Sequence, residues 1–300
     1  MSIGDVVSTR RDYLIGLIGS GIGPSLSPAL HEREADELGL RYLYRRLDLD
    51  ALGLAPAACG DLLAAARLVG YDGLNITHPC KQTVLAHLDD LSADAAALGA
   101  VNTVTFADGR AIGHNTDWSG FARAFTLGLA DAATGHVVLL GAGGAGSAVA
   151  HALMTLGARR IEIFDVDDSR SDTLAEDLTT RFGPDRAVSA SFGDDVRLAT
   201  ALRDADGLVH ATPTGMTAHP GLPFASTLLH PRCWVAEIVY RPLETPLLAA
   251  ARGRGCRVLD GGRMAVLQAA ESFRLFTGAD PDPDRMRRHF QTLIGTESHV

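Results

Sequence analysis

A chain of 300 residues exceeds one ordinary core, so two domains are expected. With 46% hydrophobic and 21% charged residues and abundant Gly and Ala, the composition is that of a well-buried α/β protein and excludes a disordered one. The net charge of −9 arises from interspersed acids and bases, and no Lys/Arg run tracks a row of phosphates, which speaks against nucleic acid and against a polybasic membrane contact.

Arg10 and Arg11 precede an apolar stretch, residues 13–18, too short for a signal-peptide core or a membrane span. Residues 13–19 read instead as a first strand. A glycine-rich loop then leads to Ser27-Pro28, which opens a helix ending at Gly39, with Ser suited to the N-cap, Pro to the first turn and Gly to the stop. Strand 42–47, helix 61–68, strand 73–77 and helices 81–88 and 92–98 follow. Segments 101–106 and 111–115, joined through Asp108-Gly109, form a hairpin. A second unit begins near Trp118 with a helix, then the apolar strand 137–140, a glycine cluster, a helix to Leu156 and strand 161–164. Further α/β alternation runs through 208–211, 234–239 and 258–259, and helices 264–276 and 282–294 flank Gly278 and a Pro/Asp turn. The pattern predicts largely parallel sheets covered by helices, without repeats or low-complexity linkers. The cysteines, Cys59, Cys80, Cys233 and Cys256, show neither C-x-x-C pairing nor a His ligand pattern, so reduced, buried thiols of a cytoplasmic protein and no metal site are expected.

Gly141-Ala142-Gly143-Gly144-Ala145-Gly146 contains G-x-G-x-x-G, between a buried-strand run and a helical segment. That setting is what a dinucleotide-binding Rossmann unit demands: a tight turn, close approach of backbone to pyrophosphate and a helix N-terminus aimed at negative charge. A merely flexible glycine turn is the competing reading. Asp165 ends the next strand, where a carboxylate can accept from both adenosine ribose hydroxyls and repel a 2′-phosphate. Asp167 and Asp168 add negative charge, and Arg170 is a nearby cation able to stack on adenine or hold a phosphate. An ordinary solvated strand end is the alternative for Asp165. NAD is preferred over NADP.

Two polar clusters carry the chemistry. In Gly73-Leu74-Asn75-Ile76-Thr77-His78-Pro79-Cys80-Lys81 the strand delivers Asn75 and Thr77 to one side, and Lys81 follows near a helix N-terminus, where a cation is electrostatically misplaced. The second cluster, residues 113–120, holds Asp117. If Asp117 returns to Lys81, the two make a proton-transfer unit for alcohol oxidation, the lysine as base and the carboxylate orienting it. Taken singly, each is an ordinary surface charge.

Ser25-Leu26-Ser27-Pro28-Ala29-Leu30-His31, the 75–81 segment, Gly99-Ala100-Val101-Asn102-Thr103 and Asn115-Thr116-Asp117 resemble the shikimate/quinate dehydrogenase family. So do the glycine motif, Ala211-Thr212-Pro213-Thr214-Gly215-Met216, Tyr240-Arg241-Pro242-Leu243-Glu244-Thr245-Pro246-Leu247 and Gln268-Ala269, in order from about residue 15 to about residue 278. The resemblance implies an α/β fold of two domains: an N-terminal substrate domain, 1–117 completed by the C-terminal helices of 264–300, and a doubly wound NAD-binding Rossmann domain, 118–263, with the active site in the cleft between them. Lys81 and Asp117 would be the catalytic pair. Ser25 and Ser27 would hold a substrate carboxylate, and Asn75, Thr77, Asn102, Tyr240 and Gln268 the ring hydroxyls or the carboxylate. Gly141, Gly143, Gly144, Ala145, Gly146, Asp165 and Arg170 would bind the dinucleotide, with Thr212, Pro213, Met216 and Gly262 at its nicotinamide end. The partner would be a small hydroxylated ring carboxylic acid, and the enzyme a monomer or homodimer.

Bland readings remain beside these: Ser27 as a helix cap, Gln268 as the polar edge of a helix, Asn102 as a strand cap, and His31, His78 and His114 as structural or solvent-facing. Two departures from the family pattern stand out, Asp165-Val166-Asp167 where an Asn-Arg-Thr-like turn suits NADP, and Arg263 where Gly often precedes the methionine. The implied activity is NAD-linked interconversion of shikimate with 3-dehydroshikimate, of quinate with 3-dehydroquinate, or both. A dehydrogenase of an amino-substituted analogue and a non-catalytic ligand- or NAD-sensing module are the competing readings.

Overall fold

The structure, a computed structural model, describes residues 12–297; the Arg10-Arg11 pair and residues 298–300 of the last expected segment lie outside it. The described chain divides into two compact units, residues 12–114 with Ser272–Gly295, and Asn115–Glu271 with residues 296–297. Both boundaries differ from those expected at 117/118 and 263/264. Asn115 caps the first helix of the second unit, and Met264 and Leu267 pack in that unit's core with Phe121, Leu139 and Trp234.

In the first unit, β1 (Asp12–Gly19), α1 (Ser27–Glu37), β2 (Arg41–Asp48), α2 (Leu49–Leu52), α3 (Cys59–Leu68), β3 (Gly73–Ile76), α4 (Cys80–Thr83), β4 (Asp90–Leu91), α5 (Ala93–Leu98), β5 (Thr103–Ala107) and β6 (Arg110–His114) follow in order. The sheet runs β2-β1-β3-β5-β6-β4. The β1 pairs with β2 and β3 are parallel, and the β5 pairs are antiparallel. Side chains alternate across β1: Ile15 and Leu17 join Ile22, Tyr44 and Phe276 in one cluster, while Ile18 joins Leu49, Leu63, Leu74 and Ile76 in the other.

Two expectations here need correction. Ser27 is not the N-cap of α1: Leu26 holds that position with no side-chain cap, and the Ser27 N–H donates to Ser25 Oγ at 3.3 Å. Pro28, lacking an N–H, removes one donor that a cap would satisfy. The helix expected over 81–88 is broken into α4 and a 3-10 turn, Val84–His87. The change falls at Thr83-Val84, two successive β-branched residues whose χ1 is restricted in a helix.

The second unit contains α6 (Thr116–Gly128), β7 (His136–Leu140), α7 (Gly144–Thr155), β8 (Arg160–Asp165), α8 (Asp168–Phe182), β9 (Ala187–Ser191), α9 (Asp195–Asp204), β10 (Gly207–His210), β11 (Trp234–Glu237), α10 (Pro246–Gly253) and β12 (Val258–Leu259). Its strands pair in parallel in the order β12-β11-β10-β7-β8-β9. The chain winds outward from β7 to β9, returns to the middle at β10 and winds outward again, which is the doubly wound topology expected. Residues 137–140 are all buried, as a parallel strand covered on both faces requires. The helix α11 (Gly261–Thr277) begins in the second unit and ends in the first, and α12 (Pro283–Glu297) follows. Glu34 on α1 accepts from Arg285 Nε at 2.9 Å and Nη2 at 2.6 Å and from the Asp282 N–H at 2.7 Å, which fastens α12 to α1.

Candidate active site

The polar residues of the first unit gather where β1 and β3 end and β5 begins. Strand register aligns Arg46, Leu17, Asn75 and Thr103 in one row across β2, β1, β3 and β5. Asn75 is buried, and three hydrogen bonds fix the orientation of its amide while one lone pair of Oδ1 is left over. Its Oδ1 accepts from the Tyr44 hydroxyl at 2.8 Å, and its Nδ2 donates to Thr103 Oγ1 at 3.1 Å and to the Asn102 carbonyl at 3.3 Å. Thr103 Oγ1 in turn donates to Asn102 Oδ1 at 3.0 Å. Burial pushes the Tyr44 phenol well above its ordinary pKa, so it stays a donor.

The Ser25 loop is strapped to β2. Asp48 accepts from the N–H groups of Gly21 and Ile22 at 3.1 and 3.0 Å, and Arg46 Nη2 donates to the Ser25 carbonyl at 2.7 Å. Thr77 follows β3, its N–H donating to the Ile18 carbonyl at 2.9 Å. Lys81 is the second residue of α4 and half-buried, and its carbonyl accepts from Val101 at 2.9 Å. Ser25, Ser27, Asn75, Thr77, Lys81 and Asn102 therefore share this unit. His31 is buried among Tyr42, Tyr44 and Phe273, a structural position.

Asp117, Tyr240 and Gln268 belong to the second unit. Asp117 is buried in the first turn of α6, where the helix dipole favours a carboxylate, and its N–H donates to Asn115 Oδ1 at 3.1 Å. A Cβ on Gly120 would lie 2.8 Å from the Gln268 backbone nitrogen, so the glycine is what lets α6 approach α11. Gln268 Nε2 donates to the Ala265 carbonyl at 3.0 Å. Tyr240 lies in the half-buried loop after β11.

β7 and β10 are neighbours, and their C-terminal ends carry the glycine loop and the 211–216 loop. Ligands of doubly wound sheets bind at this reversal of strand order. Gly141 has φ +99°, and a Cβ there would come 2.7 Å from the Ala211 carbonyl oxygen. A Cβ on Gly146 would collide with the Gly141 carbonyl oxygen. Gly143 differs: its φ is −73°, and nothing lies within 4 Å of an added Cβ. The protein itself does not require glycine at 143, whereas a pyrophosphate drawn close to the N-terminus of α7 does, so the loop fits a dinucleotide. Gly144, Ala145 and Gly146 form the first turn of α7.

Asp165 is only 8% exposed. Its Oδ2 accepts from the Ala142 N–H and its Oδ1 from the Asp167 N–H, so it braces the glycine loop as well as ending β8. Asp167 caps α8 and pairs with Arg170 at 3.4 Å, and its hydrogen bonds to Ser169 hold its carboxyl below the usual range. In the second loop, Thr212 Oγ1 meets His210 Nε2 and accepts from the Thr214 N–H at 3.3 Å. His210 Nδ1 lies 2.9 and 3.0 Å from the two oxygens of Glu237. Glu237 also accepts from the Thr245 hydroxyl at 3.0 Å and the Val239 N–H at 3.1 Å. A carboxylate only accepts, so Nδ1 carries the hydrogen. The 211–216 loop thus stands on a buried Glu237–His210–Thr212 chain. At the start of α11, Asp260 Oδ1 accepts from Gly262 at 3.0 Å and from Arg263 at 3.3 Å. The close approach is at Gly261, whose Cβ would come 2.5 Å from the Ile238 carbonyl oxygen.

Tyr44, Arg46, His210, Glu237 and Gly261 were not among the residues the sequence singled out. The signal for His210 and Glu237 is two apolar runs each ending in an ionisable residue; for Tyr44 and Arg46 it is the period-two spacing along β2.

Residues 17–104 match the family model described as shikimate dehydrogenase substrate binding domain, and 263–289 the model of the shikimate 5'-dehydrogenase C-terminal domain. A shikimate dehydrogenase (NADP(+)) of Streptomyces avermitilis is 61% identical over 96% of this chain and 98% of its own. A quinate/shikimate dehydrogenase (NAD(+)) of Corynebacterium efficiens is 49% identical over 93% and 98%. The solved structure of quinate dehydrogenase from Corynebacterium glutamicum in complex with NAD superimposes with a TM-score of 0.88 at 46% identity, covering 94% of this chain and 99% of that one. With that identity carried along nearly its whole length, the chain belongs to the shikimate dehydrogenase family.

Proposed function

We propose that the protein is an NAD-linked dehydrogenase that interconverts shikimate with 3-dehydroshikimate, quinate with 3-dehydroquinate, or both, in the cytoplasm. The observation that carries the reading is the pre-set amide of Asn75, fixed by Tyr44 and Thr103 beside Asn102, in a chain that also carries a glycine loop open at Gly143. Fixed amides and hydroxyls suit a polyhydroxylated acid, because an analogue lacking a hydroxyl leaves them unpaired. In this reading the first unit holds the ring acid, with Ser25 and Ser27 on its carboxylate, and the second holds the dinucleotide. Asn75, Thr77, Asn102, Tyr240 and Gln268 take the remaining ring substituents or the carboxylate. Lys81 Nζ takes up the hydroxyl proton through its nitrogen lone pair, and Asp117 orients that nitrogen and binds a ring hydroxyl. Bound NAD supplies the acceptor for the hydride that leaves the same carbon, so the CH–OH becomes a ketone. Thr212, Pro213, Met216 and Gly262 line the nicotinamide end.

The NAD preference rests on the turn after β8. Asp165, Asp167 and Asp168 lie within four positions, and Arg170 is paired with Asp167, which makes the turn a poor host for a 2′-phosphate. The test is initial rates with NAD+ and NADP+ on shikimate and on quinate, with Lys81→Ala as control. Turnover with NAD+ that collapses in the variant supports the class, the cofactor and the lysine together. Dinucleotide binding without turnover of either acid overturns the reading.

A further inference from the structure

Arg46 has no part in the chemistry above, yet its position ties it to the ring-acid site. It stands in register with Asn75 two strands away, which sets their Cα atoms about 10 Å apart on the same face of the sheet. Its Nη2 donates to the Ser25 carbonyl. Ser25 Oγ accepts the Ser27 N–H, which leaves the hydroxyl hydrogen to donate outward. Two hydroxyls give a carboxylate direction but no charge. The nearby carboxylates are turned to backbone, Asp48 to Gly21 and Ile22, and Glu32 to the Tyr44 N–H at 2.9 Å.

We propose that Arg46 is the charge-selecting residue of this site: through the Ser25–Ser27 loop it supplies the positive field that makes the site prefer an anionic ring acid over its neutral analogue. The inference rests on the reading of Ser25 and Ser27 as carboxylate ligands. The guanidinium is exposed, so its field is partly screened, and the attraction amounts to roughly three- to tenfold in affinity.

The test compares shikimate with its methyl ester in the wild type, Arg46→Gln and Arg46→Lys, at low and high salt. Each compound is read as KM, or as an inhibition constant where it is not turned over. Gln keeps a donor for the Ser25 carbonyl without the charge, and Lys keeps the charge. For Arg46→Gln the KM for shikimate rises about three- to tenfold with kcat within about twofold, the ester constant stays put, and the salt dependence of the shikimate KM flattens. Arg46→Lys restores most of the discrimination. An equal rise for acid and ester marks Arg46 as a splint for the loop and overturns the proposal, as does an unchanged shikimate KM or a lysine variant no better than the glutamine one. A wild type inactive on shikimate and quinate alike is a different result, which overturns the functional reading itself.

Discussion

Asp165 Oδ2 accepts the Ala142 N–H at 2.7 Å, so the end of β8 holds the loop that follows β7. The carboxylate therefore has a mechanical task in addition to the ribose contact proposed for it. Replacing it by Ala leaves a buried N–H without its charged acceptor and costs about 1.5–3 kcal/mol. Asp165→Ala is expected to lower Tm and to raise the KM for NAD+ and NADP+ together, with no clean switch between them. Thermal melts with cofactor kinetics check this; a variant with unchanged Tm and an improved NADP+ KM contradicts it.

The glycines of that loop divide into two kinds. Gly143→Ala meets open space at an ordinary φ, so Tm should hold while the KM for NAD+ rises about tenfold or more as the methyl group blocks the backbone approach. Gly146→Ala collides with the Gly141 carbonyl and should lower Tm even without cofactor. Melting both variants alone and with NAD(H) separates the two.

Tyr44→Phe deletes the donor to Asn75 Oδ1 and little else. The amide loses its fixed orientation, and kcat/KM for the ring acid should fall about five- to twentyfold, with the KM for NAD+ unchanged and a stability loss of about 1 kcal/mol. Steady-state kinetics with each substrate varied in turn distinguishes this from a general loss of structure.

His31 sets an acid limit on stability. Burial lowers its pKa from 6.5 to about 3, so it stays neutral in the fold. Below its ordinary pKa the unfolded chain binds a proton that the folded chain refuses. Its contribution is therefore complete above pH 6.5 and is lost as pH falls towards 3, by up to about 1.4 kcal/mol per pH unit. His31→Phe should flatten the pH dependence of the urea midpoint between about pH 6 and pH 4, despite losing the 3.0 Å contact of Nδ1 with the Tyr42 hydroxyl. A slope unchanged from the wild type would falsify the assignment.

What could be read from the sequence follows from the range over which each feature acts. The strand, glycine loop and helix of 137–156 declare themselves because turn, cap and periodicity are local. Tyr44 and Arg46 acquire meaning only when register brings β2 into line with Asn75 through β1, which nothing in 41–48 specifies. The Glu237–His210 contact likewise depends on β10 and β11 pairing with those residues opposite each other. Ser27 has the right residue type for a cap but stands one position late, because the helix starts with the Leu30 N–H donating to the Leu26 carbonyl. The division at Glu271/Ser272 was illegible because α11 is one uninterrupted helix whose partners change midway, from Phe121 and Leu139 to Tyr42 and Tyr44.

The fastening of α12 to α1 has a consequence for biosynthesis. Glu34 and Arg285 are 251 residues apart, and Phe273 and Phe276 are nearly as distant from the β1 and β2 residues they cover. At about 5–20 residues per second, a ribosome needs on the order of ten to fifty seconds to deliver the closing residues after Glu34 emerges. The main stretch of the second unit, Asn115–Glu271, is made before that point. The unit translated first is thus the last to be completed, and a premature stop just after residue 271 injures the beginning of the protein more than the middle.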